Sequence, residues 1–322
     1  IVRRWIDGDG VDLIADGGNS ATALAIQGIT RDKKRIFVIS GPGSSDLTGK
    51  QCSPYGFHFA YSTYAEASAV TKAMLKNGAD TWFFLTADYA FGHALERDAS
   101  GFITAAGSKV VGAVRHPLGV SDLSSFLLQA QNSKAKVIAL ANAGGDTVNS
   151  LKQAAEFGIG KSADQSIVAL LMLITDVHSL GLQAAQGIRY ATSFSWTQSE
   201  ATRAFGHRFM ARRHGQAPTM IQAGVYSGVM HYLKAVQAAG TDDADAVATA
   251  MRKLPVNDFM TQNAPIREDG QVMRSMYLVQ AKSPSESREP WDYEKVIATI
   301  SPDEAWRPLA EGGCPFVQAK GQ

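Results

Sequence analysis

ADGGNSATALA (Ala15–Ala25) and VISGPGSSDLT (Val38–Thr48) decide how this chain is read. Each follows a β-branched or apolar run, VDLI in the first case and RIFVIS in the second. Each then enters a glycine-rich turn carrying small hydroxyl or amide side chains, and the first turn opens a helix-forming run with Asn19 or Ser20 as N-cap. Two strand ends of this kind, lined by backbone N–H groups and hydroxyls, suit an anionic group. The plainer reading is a pair of ordinary strand-to-helix turns, and local sequence does not separate the two.

Outward from this pair the same beat repeats. Strand Thr81–Thr86 precedes helix Phe91–Ala106, and strand Lys109–Arg115 precedes helix Ser121–Ser133, capped by Ser121 or Asp122. Strand Lys136–Asn142 precedes helix Thr147–Phe157, and strand Ile167–Leu173 precedes helix Asp176–Ala185, with strand Ile188–Phe194 following. This alternation predicts an α/β fold with a parallel, doubly wound sheet. Residues 50–61 read as irregular, and Thr63–Asn77 as a helix ended by Gly78. From Ser199 the rhythm changes: helices Ser199–His214, Met220–Ala239 and Asp242–Lys253 come without strands between them. Strands Met276–Ala281 and Tyr293–Ile300 close the pattern.

A chain of 322 residues, 45% hydrophobic, is long enough for two domains. With 31 Lys+Arg against 30 Asp+Glu and no basic stripe, nucleic acid is not an expected partner. The longest apolar run, IVALLMLI at 167–174, is a strand length and predicts no membrane insertion. Cys52 and Cys314 sit in no metal-binding spacing; they are either two unrelated thiols or one disulfide tying the tail to the first half. The start, IVRRWIDGDG, has neither Met nor signal peptide and reads as the end of an amphipathic helix, as a processed or truncated N-terminus would.

Motifs for catalysis are missing: no GxSxG elbow, HExxH, Walker phosphate loop or calcium loop occurs, and the seven histidines lack metal spacing. No enzyme, cofactor or metal is expected. What remains is a set of strand ends with small polar and aromatic groups: Asn19 and Ser20, Gly41–Ser45, Tyr89 and Phe91, Asn142 and Ala143, Met172, and Trp196. Two α/β halves facing each other across such ends make a cleft for a small molecule. The alternative for each aromatic is plain core packing.

The runs DLIADGGNSATALAIQGI and RIFVISGPGSSDLT, then YAFG, AGGDTVNSLKQAAEFG, LGLQAAQGIRYATSFSW and QAGVYSGVMHYLKAV, resemble the periplasmic solute-binding proteins of ABC importers. Among these the chain is most similar to the type I, leucine/isoleucine/valine-binding-like group. The resemblance implies two Rossmann-like lobes joined by three crossovers that close on ligand by hinge bending. It places 1–78 plus 197–265 in lobe 1, which would lack its first strand-helix-strand, and 79–196 plus 266–322 in lobe 2. It also implies a monomer that delivers a small-molecule ligand to permease subunits, and in the periplasm a Cys52–Cys314 disulfide.

In amino-acid-binding members of the group, turns matching Asn19-Ser20 and Gly41, Gly43, Ser44 and Ser45 hold the ligand carboxylate. An acid near the position of Leu170–Met172 holds the ammonium. Here that stretch is apolar, and a buried unpaired ammonium would cost several kcal/mol. The expected ligand is therefore a carboxylate with an aromatic body against Tyr89, Phe91, Met172 and Trp196, as in the aromatic-acid-binding subgroup. The alternatives are a branched-chain amino acid, an amide or urea, or a ligand-sensing receptor domain.

Overall fold

The computed structural model describes residues 1–160 and 165–317. Its elements run, in order, α1 (Val2–Asp7), β1 (Leu13–Ala15), α2 (Ser20–Asp32), β2 (Ile36–Ile39), β3 (Gly56–His58), α3 (Thr63–Lys76), β4 (Thr81–Ala87) and α4 (Ala90–Ala105). Then come β5 (Lys109–His116), α5 (Ser124–Asn132), β6 (Val137–Ala141), α6 (Gly145–Glu156), β7 (Ser166–Ala169), α7 (Ile174–Leu180), α8 (Leu182–Ala185) and β8 (Arg189–Thr192). Helices α9 (Glu200–Arg212), α10 (Met220–Ala239) and α11 (Ala244–Lys253) precede β9 (Met276–Ala281), β10 (Glu294–Ile300) and α12 (Pro302–Ala305).

Strands β1, β2 and β3 form one parallel sheet in that order. Strands β5-β4-β6-β7 form a second, also parallel. The buried runs IFVI of β2 and VIALA of β6 are the mark of strands covered on both faces. The third sheet, β10-β9-β8, is antiparallel and brings β9 back onto β8. Two lobes result, one around β1–β3 and one around the other sheets. Helices α10 and α11 return to the first, where Tyr232, Val247 and Met251 pack against Ile36, Val38 and Phe57. From β3 the chain runs through α3 into β4 of the second sheet, from β8 it returns through α9 and α10 to the first, and after the His58–Gln271 bridge it goes on to β9 of the third.

Several sequence expectations change. Residues 50–61 are not wholly irregular: Gly56–His58 is the third strand of the first sheet, paired with Phe37–Ile39. Its brevity and leading glycine hide it, although all three residues are buried. Helix α5 starts at Ser124 because Asp122 accepts the Ser124 N–H and Gln153 takes the Leu123 N–H, so neither Ser121 nor Asp122 opens the helix. The helix expected over Asp176–Ala185 begins earlier and breaks at Gly181, whose φ is 78°.

Helix α3 packs on α4 and β8, elements of the second lobe. Residues 266–272 bridge to one another and to His58 of the first. The end of the expected second-lobe tail, 318–322, lies outside the described residues. Among the described residues no helix is long and apolar enough to cross a membrane.

Candidate functional site

The first lobe contributes two turns, and each holds the other. Asp16 ends β1 in the left-handed region at φ 76°, followed by Gly17 and Gly18 at 103° and 74°. A non-glycine residue stays there only where its surroundings hold it. The Asp16 N–H donates to the Val38 carbonyl (2.7 Å), and its carboxylate accepts the Gly41 N–H (2.6 Å). This path delivers the chain into α2, where Asn19 caps the first turn through the Thr22 N–H. Buried Ser20 accepts the Ser44 N–H at 3.1 Å.

The second turn is also anchored from behind. The Tyr61 hydroxyl donates to the Gly41 carbonyl (2.7 Å), the Thr63 N–H to the Gly43 carbonyl (2.7 Å), and the Ser45 N–H to Thr63 Oγ1 (3.0 Å). His58 Nε2 lies 2.7 Å from the Pro42 carbonyl while Nδ1 has no partner, which assigns the proton to Nε2. Burial lowers the His58 pKa to about 4 and keeps the ring neutral. Gly43 is required here, because a Cβ would lie 2.5 Å from the Tyr61 ring.

These bonds leave fewer donors than the sequence suggested. The N–H groups of Gly41, Ser44 and Ser45 are spent on Asp16, Ser20 and Thr63, and the Ser45 hydroxyl accepts from Arg97 of α4. The oxygens of Ser20 and Ser44 accept backbone N–H groups, so their hydroxyl hydrogens stay available beside the first-turn N–H groups of α2. Asn19 is exposed and serves as a cap.

In the second lobe, Tyr89 and Phe91 begin α4 with ring centroids 6.0 Å apart. Burial raises the Tyr89 hydroxyl to about 12, aided by Asp146. Both rings share an apolar cluster with Ala143, Leu171 and Leu173. Met172 does not join them: it packs with Leu85, Val177 and Tyr190 on the opposite face. Trp196 is committed to the second lobe, its N–H donating to the Trp291 carbonyl (2.8 Å) and Arg203 lying over its ring. Asn142 is spent on His116, Thr147 and Ser150, where it fixes the β6–α6 junction.

Sequence reasoning missed Tyr61, Glu66 and Asp176. The Tyr61 hydroxyl is raised by burial first and then by the charges of Glu66, Tyr89, Asp16 and Asp176, groups drawn from both lobes. An acid does follow the apolar Leu170–Met172 stretch, and it acts electrostatically on the Tyr61 hydroxyl. It stands further on, at Asp176, where one oxygen accepts the Leu173 N–H at 2.9 Å. Burial pushes its pKa up to about 6. The available signal was an acid at the third position of a helix start, a pattern that reads first as a cap. A separate hollow of about 830 Å³, lined by Arg203, Lys282, Arg288 and Asp292, lies away from these strand ends. Its Lys282 and Arg203 are paired with Asp292 and Glu289.

A profile of the periplasmic binding protein family matches residues 1–287. The fold is similar to a periplasmic binding protein from Burkholderia mallei, 48% identical, with a TM-score of 0.95 over 98% of this chain and 84% of that one. It is also similar to a branched chain amino acid ABC transporter periplasmic ligand-binding protein from Burkholderia xenovorans LB400, 40% identical, with a TM-score of 0.84 over 98% and 83%. A solute binding protein of an ABC transporter from Rhodopseudomonas palustris BisB5, in complex with 3,4-dihydroxy benzoic acid, is 22% identical with a TM-score of 0.81 over 93% and 81%.

Proposed function

This chain belongs to the periplasmic binding protein family, and on that premise we propose that its ligand is a small aromatic carboxylate held between the lobes. As a substrate-binding protein of an ABC transporter it is not an enzyme, and it works with permease subunits. The observation that carries the ligand reading is the pairing of a fixed polar corner with an apolar wall. The Ser20 and Ser44 hydroxyls and the start of α2 offer donors for a carboxylate, and Tyr89, Phe91, Leu171 and Leu173 offer a surface for a ring. The R. palustris protein with 3,4-dihydroxy benzoic acid supports the same reading. We place the protein in the periplasm, where the Cys52–Cys314 bond is stable.

A branched-chain amino acid is the second reading. Asp176 favours it, because a carboxylate near the cleft supplies a partner for an ammonium. Thermal-shift titration decides between the two: stabilisation by benzoate-type acids and not by leucine is expected, and tighter binding of leucine would overturn the aromatic reading.

A further inference from the structure

Glu66 is the least explained polar group in the fold. It lies on the first turns of α3, is fully buried, and neither carboxyl oxygen has a hydrogen-bond partner among the described residues. Buried polar atoms are almost always paired, so an orphan carboxyl calls for a reason. Nothing local supplies one. No cation faces it among the described residues, and burial alone raises its pKa well above the usual carboxylate range, which favours the protonated, neutral form.

Its position supplies the reason. Thr63, one turn earlier on the same face of α3, bonds Gly43 and Ser45 of the first-lobe turn, and Tyr61, just before the helix, donates to Gly41. Glu66 therefore lies one helical turn from the contacts that fix the first-lobe turn. Helix α3 packs against β8, and Ser193, just past the end of that strand, carries a buried hydroxyl that is likewise without a partner.

We propose that Glu66 reads a hydroxyl group on the ligand, so that the protein selects hydroxylated aromatic carboxylates over the parent acids. A neutral carboxyl has one O–H donor and a carbonyl acceptor, which matches a phenolic hydroxyl on both counts. A site built to bond a ligand hydroxyl rejects the analogue that lacks it, because the buried partner is then left unpaired. An ammonium would instead take the site by ionising Glu66 and releasing its proton. This assignment rests on the aromatic-carboxylate reading above.

Calorimetric titration of the whole protein with benzoate, 4-hydroxybenzoate and 3,4-dihydroxybenzoate tests it. The hydroxylated acids are expected to bind about 10-fold or more tightly than benzoate. Glu66→Leu is expected to reduce that preference to within about 2-fold by weakening only the hydroxylated acids, and to melt higher than wild type when free of ligand. Glu66→Gln, which keeps the carbonyl acceptor, is expected to retain most of the preference and serves if the leucine variant misfolds. A preference that survives Glu66→Leu, equal loss for all three acids, or equal binding of all three by the wild type overturns this proposal and leaves the aromatic reading standing. Binding of none of them overturns both. Release of one proton per leucine bound, read from the dependence of binding enthalpy on buffer, would put an ammonium against Glu66 and overturn the assignment.

Discussion

Arg97 Nη2 lies 2.8 Å from Ser45 Oγ, and Nη1 lies 3.2 Å from the Asp46 carboxylate. Arg97 belongs to α4 of the second lobe, whereas Ser45 and Asp46 belong to the turn that follows β2 in the first. One turn of α4 therefore clasps the opposite lobe, and the neighbouring Asp98 accepts from Thr63 of the crossover at 2.6 Å.

Breaking this clasp should loosen the closed form more than it weakens folding. Arg97 is about half exposed, so its ion pairs add little to stability. Arg97→Ala is expected to lower the melting temperature of ligand-free protein by no more than about 2 °C. It should speed ligand release roughly 3- to 10-fold, measured by stopped-flow fluorescence. An unchanged release rate would show that the clasp does not hold the lobes together.

A methyl group at Gly43 would press on Tyr61. Gly43→Ala should displace that ring, break the Tyr61–Gly41 hydrogen bond and move the whole ligand turn. A cost of about 1–3 kcal/mol in urea unfolding is expected, with ligand affinity falling at least about 10-fold. Full affinity in the variant would mean that the turn does not contact ligand.

His58 makes folding sensitive to acid. Its folded pKa of about 4 lies below the model-compound value of 6.5, so between these limits the unfolded chain binds more protons than the folded one. The stability from keeping the ring neutral is complete above pH 6.5 and is lost as the pH falls towards 4, by about 3 kcal/mol. Asp176 and Glu66, with raised folded values, act in the opposite direction over part of this range. They are common to wild type and His58→Gln, so the difference between the two unfolding curves isolates the histidine. That difference should shift in favour of the variant as the pH drops, and parallel curves would refute the assignment.

The disulfide joins Cys52 to Cys314 with Cα atoms 5.6 Å apart. It closes a loop of 262 residues, for which the entropy of the open chain predicts a loss of about 5–6 kcal/mol on removal. Cys314→Ser should lower the melting temperature, and reductant should lower that of the wild type to match while leaving the variant unmoved. A wild type whose melting temperature ignores reductant, or whose thiols are both free by mass spectrometry, would contradict the bond.

The alternation of strand and helix was legible because buried parallel strands such as VIALA and IFVI carry continuous apolar runs that end in helix caps. The two first-lobe turns were legible as turns for a related reason, since Asp16-Gly17-Gly18 and Gly43 mark places where only a special backbone or a missing Cβ fits. Which face a side chain takes beyond the end of a strand was not legible. Met172 and Leu171 are adjacent and equally apolar, yet only Leu171 shares a cluster with Tyr89. Trp196 and Asn142 have partners 95 and 26 residues away, a distance that no local pattern encodes. Glu66 reads as one more helix acid, and only its burial sets it apart.

Arg307 donates to the Ser45 carbonyl at 2.9 Å, and Cys314 is bonded seven residues further along to the segment just after that turn. The ribosome delivers Ser45 long before it delivers either of them. A nascent or refolding chain can thus complete its parallel sheets and still hold an unfinished Gly41–Ser45 turn until residues 307–314 arrive. Ligand capture should accordingly be the final property to appear during refolding, trailing the recovery of secondary structure by the time the oxidant needs to close that one bond.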